Sequence, residues 1–264
     1  MNSTVQKWIN TIAYLAMTAV NILANIIPIG IGKTGEISEK YPNLFTPAPV
    51  TFGIWGLIYL CTGFFILYQW GFFDHGLNSD VIREKIGPWF AVSCILNISW
   101  LLAWHFDFIW LSVILIAALL VSLFIITKKY RVHDMNVKDR LCVTVGFDIY
   151  FGWIIAALIA DICVFLTEKG QNGFGTNVFM TAAVITAGAL TGMYIVFAGG
   201  RKLSALAIIW AYSGILIKHI SPSGYGGKYP AVIVFTIAGI VLILCSLILK
   251  DSGRRCCVRT NQKI

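Results

Sequence analysis

The chain has 264 residues, of which 58% belong to the hydrophobic set AVILMFWYC and only 12% are charged, with a formal net charge of +8; its mean hydropathy is +0.80. A soluble domain carries about a quarter charged residues, so this composition excludes a soluble globular enzyme, a disordered chain and a disulfide scaffold. Eight stretches reach the roughly 20 apolar residues that a membrane span requires.

These stretches are residues 8–31, 51–73, 88–106, 108–127, 141–167, 175–198, 203–220 and 229–249. In hydrocarbon the backbone must satisfy its own hydrogen bonds, so the spans are helices. The expected fold is all-α, a polytopic transmembrane bundle of about eight helices. The first stretch is too long and too rich in Asn for a cleavable signal. With the N-terminus inside, 15 basic residues fall on the cytoplasmic side: Lys7, Arg83, Lys85, Lys128, Lys129, Arg131, Lys138, Arg140, Arg201, Lys202, Lys250, Arg254, Arg255, Arg259 and Lys263. Five fall outside: Lys33, Lys40, Lys169, Lys218 and Lys228. This asymmetry is what the positive-inside rule predicts when both termini are cytoplasmic. It explains the net charge as orientation, not as a nucleic-acid surface.

The longest outer connection, GKTGEISEKYPNLFTPAP at 32–49, follows the first span. Its Gly and Pro residues preclude a long regular helix. Ile37, Leu44 and Phe45 are odd in a solvated loop, so the segment reads as a lid folded over the outer mouth of the bundle.

Three spans carry a periodic pattern. The second has Phe52, Trp55 and Tyr59; the third has Asn97, Trp100 and Trp104; the fifth has Tyr150, Trp153, Ala157 and Asp161. Each set repeats at i, i+3, i+7 and so lies along one stripe of its helix. By alternation, Phe52 and Trp55, Trp100 and Trp104, and Ala157 and Asp161 reach the same half of the membrane. Such aromatic walls with a few fixed polar groups suit a flat, mostly apolar ligand, although stripes of this kind also serve to pack helices. Trp8, Trp70, Trp89 and Trp110 lie near span ends and read as an interfacial belt.

Ionisable groups within a span are functional candidates. Asp148 and Asp161 share the fifth span but lie about 140° apart around its axis, so they do not form a paired acid–base site. Seven cysteines and four histidines (His75, His105, His133, His219) show no metal-ligand spacing, so no metal site is expected. Cys256 and Cys257, after Arg254 and Arg255, stand where S-acylation occurs. Lys218 lies too near a span end to act as a retinal Schiff-base lysine.

The stretches FTPAPVTFGIWGLIYLCTG (45–63), LNISWLLAWH (96–105) and IYFGWIIAALIAD (149–161) resemble, in order, the loop with second helix, the third helix and the fifth helix of the tryptophan-rich sensory protein family. That family is also called the translocator protein or peripheral benzodiazepine receptor family. The resemblance covers roughly residues 9 to 166. It implies a five-helix module over 1–170 followed by a three-helix C-terminal extension over 171–264, as in longer bacterial-type members. It also implies a cavity under the first loop for porphyrins, sterols or synthetic aromatic ligands, with contacts at Trp55, Tyr59, Asn97, Trp100, Trp153 and Ala157. Three departures stand out: the loop lacks Trp, Ala48 replaces the second Pro of the loop motif, and Asp161 replaces the closing Asn.

The functional expectation is therefore an integral membrane binding or sensory protein, not an enzyme, sited in the plasma membrane. A planar apolar, tetrapyrrole-like molecule would lie among Phe52, Trp55, Tyr59, Asn97, Trp100, Trp104, Tyr150, Trp153, Ala157 and Asp161. No cofactor is required, although a porphyrin or haem-like ligand is the natural candidate; the partners are that ligand and the bilayer. The extension would cover the side by which short members dimerise, leaving a monomer. The alternative is a proton-coupled exporter of small amphipathic solutes, with Asp148 as an inner proton carrier.

Overall fold

A computed structural model of the chain describes residues 3–27, 29–30, 32, 34–73, 79–130, 137–170 and 175–261, with the backbone alone for 3, 79–83, 251 and 253–261. Ile31, Lys33, His75, Arg131, His133 and Lys263, and the side chains of Arg83, Arg254, Arg255, Cys256, Cys257 and Arg259, lie outside what is described. The elements are α1 (Ser3–Ile26), α2 (Thr34–Lys40), a 3-10 turn (Pro49–Gly53), α3 (Ile54–Trp70), α4 (Ser79–His105), α5 (Ile109–Tyr130), α6 (Val137–Asp139), a π turn (Arg140–Thr144), α7 (Val145–Glu168), α8 (Val178–Gly199), α9 (Lys202–Ile220) and α10 (Pro230–Asn261). No strand occurs among the described residues.

Eight helical segments are long and apolar enough to cross a membrane, with α6, the π turn and α7 forming one of them. The fold is thus all-α and polytopic, as its hydropathy requires. Two elements run past the apolar windows. α4 starts at Ser79, ahead of Pro88, and α10 continues to Asn261, because a helix can extend beyond the hydrocarbon that its apolar part spans. Helix ends follow local chemistry. Gly71 takes φ +88° and closes α3, while Gly200 at φ +61° closes α8, conformations that cost glycine little. The Asn177 side chain caps α8 by accepting from the Met180 amide at 3.1 Å.

α7 is the hub of the bundle, packed by α3, α5 and α9; α1 lies against α4 and α3, and α8 and α10 pack on each other and on α9. Small residues permit the tightest of these contacts. A Cβ on Gly152 would sit 2.1 Å from the Ser204 carbonyl oxygen, so α7 and α9 touch backbone to backbone, as small residues allow in membranes. The Ser204 hydroxyl in turn donates to the Asp148 carbonyl at 2.7 Å. α9 also contacts the Pro49–Gly53 turn, and the Ala48 amide donates to the Gly214 carbonyl at 3.0 Å. α9 is therefore seated against both the hub helix and the end of the lid.

Candidate functional site

The segment after α1 folds back over one end of the bundle, and its apolar members are buried as a lid requires: Ile37 and Leu44 are each 1% exposed and Phe45 is 3% exposed. Ile37 packs with Trp104, Ile109 and Val164. On one flank the Trp104 indole donates to the Thr34 carbonyl at 3.2 Å, and the Thr34 hydroxyl meets His105 Nε2 at 3.0 Å. Asp107, in the turn between α4 and α5, takes φ +64°, a conformation that Asp tolerates better than most residues. It accepts from Lys40 and, at 2.8 Å, from the Tyr41 hydroxyl. On the other flank Lys218 pairs with Glu39 at 3.0 Å, His219 Nε2 meets the Leu44 carbonyl at 2.8 Å, and the Tyr225 hydroxyl donates to the Asn43 carbonyl at 3.2 Å. The lid is clasped on both sides, and α9 and its following loop form one side of the clasp. Partial burial pushes the Asp107 carboxyl up, but the Lys40 ammonium and the Tyr41 hydroxyl more than offset this and hold it below the usual carboxylate range.

Beneath the lid lies a narrow cavity of about 40 Å³. Phe52, Trp55, Trp100, Trp104, Trp153, Ala157 and Asp161 all line it, so the outer members of the three stripes converge. Trp55 is central. Its ring centroid lies 5.5 Å from that of Trp100 and 6.1 Å from that of Trp153, while Phe52 stands edge-on to Trp153 at 6.2 Å. The walls thus touch one another across the middle of the cavity, leaving narrow spaces between rings.

Tyr59, Asn97 and Tyr150, the innermost member of each stripe, are not on the cavity wall. They form a floor one turn below it. The Asn97 amide donates to the Tyr150 hydroxyl and accepts from the Asn21 amide, both at 2.8 Å. Tyr59 stacks on Trp55 at 5.7 Å, and Tyr150 meets the same ring edge-on at 5.8 Å. The spacing placed these residues on the correct face, but depth keeps them from the cavity. They support the wall by fixing Trp55 from below.

Asp161 is 3% exposed. Its Oδ2 accepts from the Trp100 indole N–H at 2.9 Å and lies 3.1 Å from the Ser112 hydroxyl, which is also 2.8 Å from the Ile109 carbonyl. One serine proton serves both acceptors, so the carboxylate has one firm donor and one shared donor. Asp148 occupies a separate place toward the other end of α7: it is 3% exposed and accepts from the Tyr130 hydroxyl at 2.5 Å. It lies on neither the main cavity nor the antechamber beside it.

The stripes did not reveal the other wall residues. Thr34, Ser38, Phe45 and Pro47 come from the lid, Ala156 and Ala160 from α7, and Ala211 and Ile215 from α9. The motif containing Phe45 and Pro47 was a visible signal; the α9 residues had none, being small or aliphatic in an apolar run. A second space of about 290 Å³, lined by Asn21, Asn25, Glu36, Glu39 and Leu101, adjoins the first and shares Thr34, Phe52 and Trp55 with it. It forms a polar antechamber.

Eight spans and an aromatic cavity closed by a lid define a multi-pass membrane protein of a binding, sensory or transport class. The family model for TSPO-like protein matches residues 7–249, and the chain belongs to that family, the translocator protein family its motifs resemble. The match takes in α8 and α9 and the apolar part of α10 as well as the first five spans. Comparisons with curated proteins and with solved structures returned no match.

Proposed function

We propose that this protein is a membrane receptor for a planar, mostly apolar molecule, tetrapyrrole-like in flatness, held under the lid without any required cofactor. The observation that carries this reading is the convergence of Phe52, Trp55, Trp100, Trp104 and Trp153, from three spans, on one cavity with a single buried carboxylate. Its volume of about 40 Å³ is well below the roughly 300–1,000 Å³ of preformed small-molecule sites, so a ligand must open the cavity as it enters. Because Trp55 already contacts Trp100 and Trp153, a flat ligand enters by separating these rings and replacing one aromatic contact with two. Binding is then coupled to the floor through Tyr59 and Tyr150, which both touch Trp55, and to the lid through Trp104 and Thr34.

The excess of Lys and Arg near one set of span ends supports cytoplasmic termini and an outward-facing lid. The extension supplies Ala211 and Ile215 to the wall, which supports a chain complete as a monomer, although its first five spans remain the module the motifs define. Light scattering in mild detergent tests that state: a dimer contradicts it.

Binding is tested by titrating a neutral tetrapyrrole into purified protein and following Trp fluorescence. The expected result is saturable quenching that weakens about tenfold or more in Trp100→Ala and Trp153→Ala, as for loss of a buried aromatic contact of roughly 1.5 kcal/mol. Absence of quenching, or quenching indifferent to both substitutions, sinks the proposal. The transport alternative rests on Asp148, which is sealed beside Tyr130; proton-coupled flux in liposomes that is abolished by Asp148→Asn would favour it.

A further inference from the structure

From the charges around the cavity we infer that the ligand's polar end is a cation or strong hydrogen-bond donor, seated at Asp161, so that an amphipathic aromatic amine is preferred to a carboxylate-bearing one. This inference rests on the binding role just proposed and names the chemical class the site selects.

The Trp100 and Ser112 contacts at Asp161 both fall on Oδ2; Oδ1 has no partner among the described residues, in a side chain that lines the cavity. An ionised carboxylate away from water is costly unless paired, and no Lys, Arg or His lines either the cavity or its antechamber among the described residues. The antechamber adds two more carboxylates. Glu39 is held by Lys218 from outside the lining, and Glu36 stands one helical turn before it on α2. A ligand carboxylate would meet like charge at Asp161, whereas a protonated amine at Oδ1 would complete the carboxylate's coordination with a charge-assisted hydrogen bond. An independent observation points to a polar ligand body. The Trp153 indole N–H, in a side chain 3% exposed on the same wall, has no acceptor among the described residues. A ring nitrogen or carbonyl on the ligand would satisfy it. The site therefore reads as a donor-seeking carboxylate and an acceptor-seeking indole flanking an apolar slot.

Three probes of one shape separate charge from flatness: 9-(aminomethyl)anthracene, 9-(hydroxymethyl)anthracene and anthracene-9-carboxylate. Each is titrated into the full chain in zwitterionic nanodiscs, with Trp quenching as the readout and Trp153→Ala as the control for partition into lipid. The cation is expected to bind at least about tenfold tighter than the anion, the scale of one charge-assisted hydrogen bond. Asp161→Asn is expected to remove that ratio and Asp161→Glu to restore most of it. Equal affinities in the unmodified protein, an anion preference, or a cation preference that survives in Asp161→Asn would each overturn the inference while leaving the cavity's binding role intact. If none of the three probes quenches in a manner sensitive to Trp153→Ala, the binding role itself falls, and the two failures are told apart.

Discussion

The indole N–H of Trp100 donates to the carboxylate of Asp161 at 2.9 Å, joining α4 to α7 directly beneath the lid. This bond does two things at once. It fixes the plane of Trp100 against Trp55, and it holds the buried carboxylate at the cavity wall. Removing the acceptor should therefore loosen the bundle as well as the site. Asp161→Leu leaves the Trp100 N–H without its partner and is expected to cost about 1–3 kcal/mol, whereas Asp161→Asn retains an acceptor and should cost less. Thermal unfolding in detergent, followed by near-UV circular dichroism, measures the difference. Equal losses in the two variants would show that the hydrogen bond is not what matters there.

The floor makes a separate prediction. Asn97 links α1, through Asn21, to α7, through Tyr150, and Asn97→Leu strips partners from both. Cross-helix bonds of this kind in membranes are worth about 0.6 to 1.7 kcal/mol each. Since Tyr150 also bears on Trp55, the variant should broaden the Trp55 environment without removing any wall residue. A wild-type melting temperature for Asn97→Leu would contradict the linkage.

How far the sequence carries toward these contacts can be seen residue by residue. Hydropathy located the eight spans because the bilayer sets both their length and their composition. Helical spacing put Trp55, Trp100, Trp153 and Asp161 on inward stripes because side-chain direction is local. The same spacing could not say that Tyr59, Asn97 and Tyr150 stop one turn short of the cavity. That depth depends on how far the lid descends, and the lid's position depends on Asp107, Lys218 and His219, contacts between residues far apart in the chain. Ala211 and Ile215 were hidden for a similar reason: what makes them wall residues is the approach of α9 to α7 permitted by Gly152.

That approach can be tested directly. Gly152→Ala drives a methyl group toward the Ser204 carbonyl oxygen at 2.1 Å and is expected to destabilise by roughly 1–3 kcal/mol, as overpacking does. The wall that carries Ala211 and Ile215 would move with α9, weakening binding of a planar ligand. Gly35, whose added Cβ would meet nothing within 4 Å, supplies the control: Gly35→Ala on α2 should be neutral or slightly stabilising. Comparable losses at the two glycines would refute the close-contact account.

The lid clasp carries a pH signature. The folded-state pKa of Asp107 lies below the ordinary 3.8, so its contribution to closing the lid is fully present above that value. It is lost as pH falls through the lower folded value. Hydrogen exchange of the amides at 34–48 should therefore be steady from neutral pH to about pH 4, after allowance for intrinsic exchange rates, and accelerate below it. Asp107→Asn tolerates the same backbone conformation but lacks the charge, and its lid amides should exchange faster at neutral pH with no further acid step. An unchanged step in that variant would assign the effect to another group.

The most direct measurement of the central claim is ¹⁹F NMR of protein carrying 5-fluorotryptophan at its nine Trp positions, recorded as a planar aromatic ligand is added. Entry between the rings predicts that the resonances of Trp55, Trp100 and Trp153 shift together and saturate, while those of the exposed Trp8 and Trp110 stay in place. Shifts confined to Trp8 and Trp110, with the three cavity indoles unmoved, would mean that the ligand merely coats the lipid-facing surface and that the space under the lid is structural packing.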